Sequence, residues 1–582
     1  MTLWASLPKA QMSSDQKPAI GGLNHAVAVP KGRDTARTEG HPTLPHTQPV
    51  TTRQVSEEAA AAESGVAFAS GAGRWLLAVA VAGSGMAFLD GTVVNVALPK
   101  IGEDFGASTS SLQWILNGYL LTLASLILLG GSLGDRYGRR RVFVIGVGVF
   151  TAASLLCAVS PSVEFLIGAR MLQGVGGALL TPGSLAIIEA SFRPADRARA
   201  IGAWSGLGGV ATAFGPLLGG YLIGAISWRA IFFINLPIGI FVAWAAREHV
   251  PESRDPMATE GGLDVGGAVL AALGLAGTTF ALIEAPEKGA SAAVLIAAIG
   301  GVAAIVAFFW MERRAAMPML PLEIFRSRQF SAANAVTFVV YAALGGFFFL
   351  LVAFLQISMG YTPIEAGAAS LPVTLIMLAF SARSGALAQR IGARLPLTLG
   401  PLIIAAGLLL MMTIDPGTSY LTGILPAIVV FGAGLTLVVA PVTATVLAAA
   451  DARHSGIASG VNNAVARVAG LLAVAVLPVA AGITGEGFYD PQKMTDGFHT
   501  AMMICAILAA IGGLLAWLTI SAEVLHAEAE PGGGTPEGLT EDYSCGFEAP
   551  PLRPAREADC RPAVGRRAHP AAGTGASIVD QE

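Results

Sequence analysis

Three charged side chains interrupt long apolar stretches of this sequence: Asp90, Arg170 and Arg467. A charge inside an apolar medium costs at least ~2.5–3.5 kcal/mol on membrane-insertion scales, so each of these needs a counter-charge or a function. The helical rise puts Asp90 and Arg170 at similar depths, about 12 Å and 10 Å from one side of the predicted bundle. Two interpretations stay open: a static ion pair, or a carboxylate that takes up and releases a proton beside a guanidinium.

Arg467 lies about 18 Å into its apolar run, near the middle of the predicted span. With Asn462 and Asn463 one turn earlier, it forms a polar stripe, although a structural arginine bonded to carbonyl groups has the same pattern. A substrate cavity would combine such polar groups with aromatic ones. The predicted cavity residues are Phe88, Asn95, Trp114, Tyr119, Gln173, Tyr341, Phe347, Asn462, Asn463 and Arg467.

The elements that carry these residues follow from composition. The chain has 582 residues, of which 54% are hydrophobic and 13% are charged, whereas soluble domains contain roughly 25% charged residues. This excludes a soluble enzyme, a nucleic-acid binder and a disulfide-stapled secreted domain. Fourteen apolar runs approach the ~20 residues that cross a bilayer, and they must be helices because lipid satisfies no open strand edge. The prediction is an all-α polytopic membrane protein.

The predicted organisation places two six-helix halves around an inserted helix pair. The halves cover residues 74–247 and 331–520, the inserted pair and linkers cover 248–330, and disordered cytoplasmic tails cover 1–73 and 521–582. Arginine clusters in alternate loops, whereas the other loops hold only Lys100, Arg229, Lys288 and Lys493. The positive-inside rule then places both termini in the cytoplasm.

A weak internal repeat supports the two halves. GSLGDRYGRRR (131–141) and GALAQRIGAR (385–394) each follow the second span of a half. Glycine permits close packing and a tight turn, and the Asp135 carboxylate is expected to pair with an arginine and to face a helix N-terminus. The simpler interpretation is a basic loop that sets topology. The predicted gating residues are Gly131, Asp135, Arg136, Gly138, Arg139 and Arg140.

The fifth span is rich in glycine on one face, and this favours close helix packing. Its proline removes one backbone hydrogen bond and bends the helix. The residues of this predicted motif are Gly202, Gly215, Pro216, Gly219 and Gly220.

These segments carry a resemblance. GSLGDRYGRRR, LIGARMLQGVGGALLTPGS (166–184) and GPLLGG (215–220) resemble the motif set of the major facilitator superfamily. FLDGTVVNVALP (88–99), LQWILNGYLL (112–121) and SWRAIFFINLPIG (227–239) are similar to the fourteen-span drug:proton antiporters of the EmrB/QacA type, over about residues 75–520.

The resemblance implies a major facilitator fold and a role for each motif. Asp135 and Arg139 would latch one conformation, and Arg170, with Gln173, would take part in proton coupling. Asp90 would act in coupling or cation recognition. The fifth-span motif implies export rather than import, with Ala211 standing where the family pattern has glycine.

The expected function is therefore proton-driven export of hydrophobic or cationic drugs or antibiotics from the cell across the plasma (inner) membrane. The alternative is export, or less readily import, of one endogenous metabolite. No phosphate-binding loop or metal-ligand spacing occurs, so no cofactor, metal or enzymatic activity is expected. The expected partners are a small-molecule substrate, protons and membrane lipids, without nucleic acid, and a monomer is the simplest state.

Overall fold

The computed structural model describes residues 65–255, 263–315, 318–450 and 455–525. Within them, fourteen helices are long and apolar enough to cross a membrane, so the predicted number of spans is confirmed. They are α1 (Gly71–Phe105), α2 (Thr109–Tyr137), α3 (Arg139–Ala158), α4 (Val163–Ser191), α5 (Pro194–Ala225), α6 (Ala230–His249), α7 (Val265–Lys288), α8 (Ala292–Glu312), α9 (Arg328–Ile357), α10 (Pro363–Ile391), α11 (Arg394–Met411), α12 (Tyr420–Ala448), α13 (Gly456–Ala480) and α14 (Pro491–Thr519).

An even number of spans puts the start of α1 and the end of α14 on one face of the bundle. We call this the termini face and the opposite one the distal face. Most of the predicted tails lie outside the described residues, but the last part of the first one is folded. Val66 donates its N–H to the Ser191 carbonyl oxygen at 2.8 Å, and the N–H of Phe68 donates to the Asp196 carboxylate at 3.0 Å. Ordered structure therefore begins before the predicted boundary at residue 73.

Helix pairing repeats between the first six and the last six spans. In the first set, α2 and α3 pack on α4, α1 packs on α5 and α6, and α3 packs on α6. The corresponding pairs α10–α12, α11–α12, α9–α13, α9–α14 and α11–α14 also pack together. The structure thus repeats the arrangement that the 131–141 and 385–394 segments indicate in sequence. We refer to α1–α6 and α9–α14 as the first and second halves.

The inserted pair packs against both halves. Helices α7 and α8 pack on each other, and α7 also packs on α2 and α13. At the distal face, Ser110 donates to the Glu287 carboxylate at 3.1 Å. The α7 helix therefore lies beside the boundary where the halves meet.

Hydrogen bonds join the two halves near the distal face. Gln113 donates to the Val474 carbonyl oxygen at 2.7 Å, and Thr109 donates to that of Gly485 at 2.8 Å. Gln356 donates to the Val96 carbonyl oxygen at 3.0 Å, and the Tyr489 hydroxyl to that of Ala107 at 2.8 Å. Burial raises the pKa of Tyr489 to about 12, so its hydroxyl remains a donor at physiological pH. These four donors and their acceptors are the distal seam.

Small residues allow the helices of the first half to approach closely. A Cβ on Gly146 would lie 2.8 Å from the Leu179 Cβ, where α3 crosses α4. Two residues further along α3, a Cβ on Gly148 would have no atom within 4 Å.

These two glycines give a test of the packing. Gly146→Ala should lower the melting temperature of the detergent-solubilised protein, because overpacking costs about 1–3 kcal/mol. Gly148→Ala is the matched control and should leave it unchanged or raise it, since alanine favours helix. Equal melting temperatures for the two variants would contradict the close α3–α4 contact.

Candidate functional site

The ion pair that the sequence leaves open is formed in the structure. Asp90 on α1 and Arg170 on α4 are both completely buried, and the Arg170 Nη1 contacts Asp90 Oδ2 directly. Gln173, one turn along α4, donates to Asp90 Oδ1 at 2.8 Å and accepts from Arg170 Nη1 at 2.7 Å. Three of the predicted residues therefore form one hydrogen-bonded unit.

Two further side chains, which the sequence reasoning missed, extend this unit. Asn235 on α6 donates to Asp90 Oδ1 at 3.4 Å and to the Ser154 hydroxyl of α3 at 3.0 Å. Both residues are fully buried. The available signal for Asn235 was its amide in the otherwise apolar run IFFINLPIG. We call Asp90, Arg170, Gln173, Asn235 and Ser154 the buried network.

The second helix contributes an aromatic face and a carbonyl group. The Arg170 guanidinium carbon lies 4.4 Å from the centre of the Tyr119 ring, a cation–π distance. Arg170 Nε donates to the Ile115 carbonyl oxygen at 3.1 Å. Arg170 is thus held by a carboxylate, an amide, a carbonyl group and a ring.

In this arrangement, the protonation state of Asp90 decides whether the buried charge of Arg170 is compensated. While Asp90 is ionised, the pair is neutral and its hydrogen bonds are satisfied. A proton on Asp90 leaves the Arg170 charge uncompensated in a medium where an unpaired ion is costly. Arg170 must then gain water, an anion or a new position, so proton uptake can drive a local rearrangement.

The predicted cavity residues of the second half lie apart from the buried network. Arg467 on α13 and Tyr341 on α9 are both half-buried. The Asn462 side-chain oxygen accepts from the Thr337 hydroxyl at 2.9 Å, while Asn463 is exposed. The three residues of the predicted polar stripe therefore have different environments.

The predicted aromatic residues also differ in position. Phe347 is fully buried, and its ring centre lies 4.2 Å from that of Phe431, within the packed interior of the second half. The Trp114 ring nitrogen donates to Glu284 of the inserted pair at 3.0 Å. Phe88 is half-buried, with its ring 6.4 Å from that of Trp204 on α5. A cavity role for each remains a prediction.

Asn95 and Tyr119 lie along the inner helices of the first half. Asn95 is half-buried, and its amide nitrogen reaches the Gly91 carbonyl oxygen only at 3.5 Å. The Tyr119 side chain is buried beside Arg170. The structure therefore joins Tyr119, but not Asn95, to the buried network.

The gating turn between α2 and α3 has a carboxylate at each side. Asp135 forms an ion pair with Arg139 at 2.8 Å across the turn, and Gly138 between them adopts a φ of 115°. Glu252, from the segment after α6, accepts from the backbone N–H groups of Arg140 at 3.0 Å and Arg141 at 3.2 Å. These N–H groups have no partner within their own helix.

Glu252 was missed because it lies in a loop without periodicity. It is the carboxylate that caps α3, whereas Asp135 neutralises an arginine. Two backbone bonds reinforce the contact: Arg139 N–H to the Ser253 carbonyl oxygen at 2.9 Å, and Asp255 N–H to the Asp135 carbonyl oxygen at 3.0 Å. The segment after α6 therefore clamps the gating turn.

The other predicted gating residues lie nearby. Gly131 lies beside Pro182 of α4, and Arg136 lies over the Tyr137 ring.

The fifth-span motif divides into two environments. A Cβ on Gly215 or Gly219 would clash with Thr92 or Val93 of α1, and one on Gly220 would clash with Pro363 at the start of α10. The Pro216 carbonyl oxygen lies against Gly367 of α10.

Nearer the termini face, a Cβ on Gly202, Gly206 or Gly209 would have no atom within 4 Å. The motif glycines Gly215, Gly219 and Gly220 are therefore closely packed, whereas Gly202 is not. Between them, a Cβ on Gly208 would lie 3.0 Å from the Phe88 ring of α1.

The buried network makes a prediction about stability. Asp90→Asn and Arg170→Gln should each destabilise the protein by about 3–5 kcal/mol, because each leaves one buried charge without its partner. The double variant should recover much of this loss, since neither charge remains. Melting temperatures in detergent test this, and additive losses in the double variant would show that the two charges are not coupled.

The Glu252 clamp makes a second prediction. Glu252→Ala should speed amide hydrogen exchange at Arg140 and Arg141 by about 10- to 100-fold, because a hydrogen bond to a charged group contributes roughly 1.5–3 kcal/mol. Glu248→Ala, which removes an exposed carboxylate from the same region, is the control. Unchanged exchange in the Glu252 variant would contradict the capping role.

Comparisons with known proteins agree with this architecture. A family model described as Major Facilitator Superfamily matches residues 80–474. The multidrug resistance protein Stp of Mycobacterium tuberculosis is 36% identical over 394 residues, which cover 67% of this chain and 73% of Stp. The tetracenomycin C resistance and export protein of Streptomyces glaucescens is 37% identical over 419 residues, covering 71% and 77%. A probable actinorhodin transporter of Streptomyces coelicolor is 36% identical over 416 residues, covering 69% and 72%.

Solved structures show the same fold at lower identity. A bacterial homologue of the human drug peptide transporters PepT1 and PepT2 aligns with a TM-score of 0.57 at 14% identity, covering 79% of this chain and 100% of that one. A bacterial homologue of the lysosomal transporter Spinster, in an inward-facing and unoccupied conformation, aligns with a TM-score of 0.56 at 16% identity, covering 78% and 98%. The chain belongs to the major facilitator superfamily, and it has the fourteen spans of the drug:proton antiporter type.

Proposed function

We propose that this protein is a secondary active exporter that moves hydrophobic, antibiotic-like small molecules out of the cell in exchange for protons. The observation that carries the proposal is the buried network, in which a single buried carboxylate is held against an arginine at the centre of the first half. Relatives named for multidrug resistance and for tetracenomycin C export support efflux as the direction of transport.

The proposed sidedness follows from charge. Gating-turn arginines and the other loop arginines concentrate on the termini face, so this face is cytoplasmic in a plasma membrane. Because the distal seam joins the halves on the opposite face, the proposed entry of substrate is from the cytoplasmic face.

The proposed cycle uses Asp90 as the proton site. Substrate enters from the cytoplasm, the gating turn closes that side, and the distal seam opens. A proton from outside neutralises Asp90 and frees Arg170, and this change favours substrate release. Return to the first conformation exposes Asp90 to the cytoplasm, where it loses the proton and pairs again with Arg170.

The driving force is sufficient for a useful pump. One charge moving through 100 mV supplies ~2.3 kcal/mol. At ~1.4 kcal/mol per factor of ten, this sustains a ~50-fold gradient of an uncharged substrate exchanged for one proton.

A second candidate is export of one specific compound. The relatives include proteins named for a single antibiotic, tetracenomycin C or actinorhodin. A narrow exporter would use the same proton site and differ only in the cavity.

Export from energised cells tests the proposal. Cells expressing the chain should accumulate less of at least one compound from a panel of acidic, neutral and cationic antibiotics and dyes, and a protonophore should abolish the difference. Asp90→Asn should also abolish it, because it removes the proton site.

Glu103→Gln is the control, since it removes an exposed carboxylate from the same helix. Export of one panel member only would select the narrow exporter. Export that persists undiminished in Asp90→Asn would exclude Asp90 as the coupling site.

A further inference from the structure

Arg467 lies at the centre of the contact between the two halves. Helices α2 and α13 run in opposite directions across this boundary. A Cβ on Gly460 would lie 2.9 Å from Leu128 toward the termini face, and the Val474 carbonyl oxygen accepts from Gln113 toward the distal face. Arg467 is midway between Gly460 and Val474 on the same helical face, because positions seven apart on a helix nearly coincide in direction.

The charge of Arg467 has no counter-charge in the part of the chain that the structure describes. Among the described residues, its half-buried guanidinium has no hydrogen bond or ion pair, in contrast to Arg170 with Asp90. The described spans of the second half carry no carboxylate at this depth, since Glu365 lies in the first turn of α10 and Asp496 is the sixth residue of α14. Arg467 is therefore a positive charge without a carboxylate partner among the described residues of the second half.

A second polar group on the opposing helix also has no partner. Asn117 lies one turn from Gln113 on the face of α2 that meets α13. It is completely buried, and neither its amide nitrogen nor its amide oxygen has a hydrogen-bond partner in the part of the chain that the structure describes. Buried amide groups normally have hydrogen-bond partners. The boundary between α2 and α13 therefore carries two donors that are available to a ligand, the charged Arg467 and the neutral Asn117.

The side chains near Arg467 and the chemistry of its guanidinium indicate what kind of ligand could bind at this boundary. Tyr341 is half-buried on α9, which packs against the α13 helix that carries Arg467. Tyrosine rings contribute apolar area, and a guanidinium recognises the two oxygens of a carboxylate through paired hydrogen bonds. A cation at this position would meet an uncompensated like charge at low dielectric.

We propose that Arg467 binds an anionic group of the substrate, so that this exporter prefers organic acids with an aromatic body over organic cations of the same size. The proposal rests on the export function proposed above and specifies its substrate class. It assigns Arg467 to substrate recognition and leaves the buried network as the proton site.

Two dyes with the same xanthene ring system test the preference: fluorescein, which carries a carboxylate, and rhodamine 123, which is a cationic ester. The purified full chain is reconstituted in liposomes, and uptake of each dye into inside-acidic vesicles is measured, together with equilibrium binding by fluorescence polarisation. The wild type should transport and bind fluorescein at least ~10-fold better than rhodamine 123, a difference of ~1.4 kcal/mol.

Three variants separate charge from folding. Arg467→Gln should lower the fluorescein to rhodamine 123 ratio by ~10-fold or more, while rhodamine 123 transport persists or rises and so reports an intact pump. Arg467→Lys should keep most of the preference, because it keeps the charge. Arg383→Gln removes an exposed arginine from α10 and should leave the ratio unchanged.

The outcomes distinguish this inference from the proposed function. Gradient-driven transport of either dye without a preference for fluorescein, or with a ratio that Arg467→Gln does not change, would overturn the anion proposal and leave proton-coupled export standing. Absence of both gradient-driven transport and binding for both dyes would overturn the anion proposal as well. Transport of either dye that does not depend on the pH gradient or on Asp90 would instead refute proton coupling.

Discussion

The structure of the first half depends on the burial of one arginine. Arg170 is completely enclosed, and a buried guanidinium is tolerated only when its charge is paired and its donors are satisfied. Asp90 comes from α1, Gln173 from α4, Asn235 from α6 and Ser154 from α3, so one electrostatic requirement fixes four helices relative to one another. The half is thereby held together as one packed unit, with the ion pair at its centre.

Span number and the two halves were predictable, whereas the contacts between helices were not. Apolar run length and the spacing of arginines are properties of the linear chain, and they identify fourteen helices and an internal repeat. That Asp90 meets Arg170 depends on how each helix is rotated about its axis, and the two residues are 80 positions apart. Asn235 and Glu252 have no periodic signal, because their importance comes from partners supplied by other elements. Likewise, the sequence alone does not distinguish the buried ring of Phe347 from a ring that faces a cavity.

The two halves share a helix arrangement but differ in their central charges. The first half contains a neutral pair that one proton converts to a net charge. The second half contains Arg467, with no carboxylate of its own at that depth. On the two proposals made above, energy input and substrate recognition are assigned to different halves.

The four hydrogen bonds of the distal seam share one chemical feature that affects how the sequence can change by mutation. Each of its four donors is a side chain, and each acceptor is a backbone carbonyl oxygen, at Val96, Ala107, Val474 and Gly485. A carbonyl group is present whatever residue carries it, so mutation on the acceptor side cannot delete these bonds. On the export function proposed above, the side chains at these four acceptor positions can change while the acceptor atoms of the distal seam remain in place.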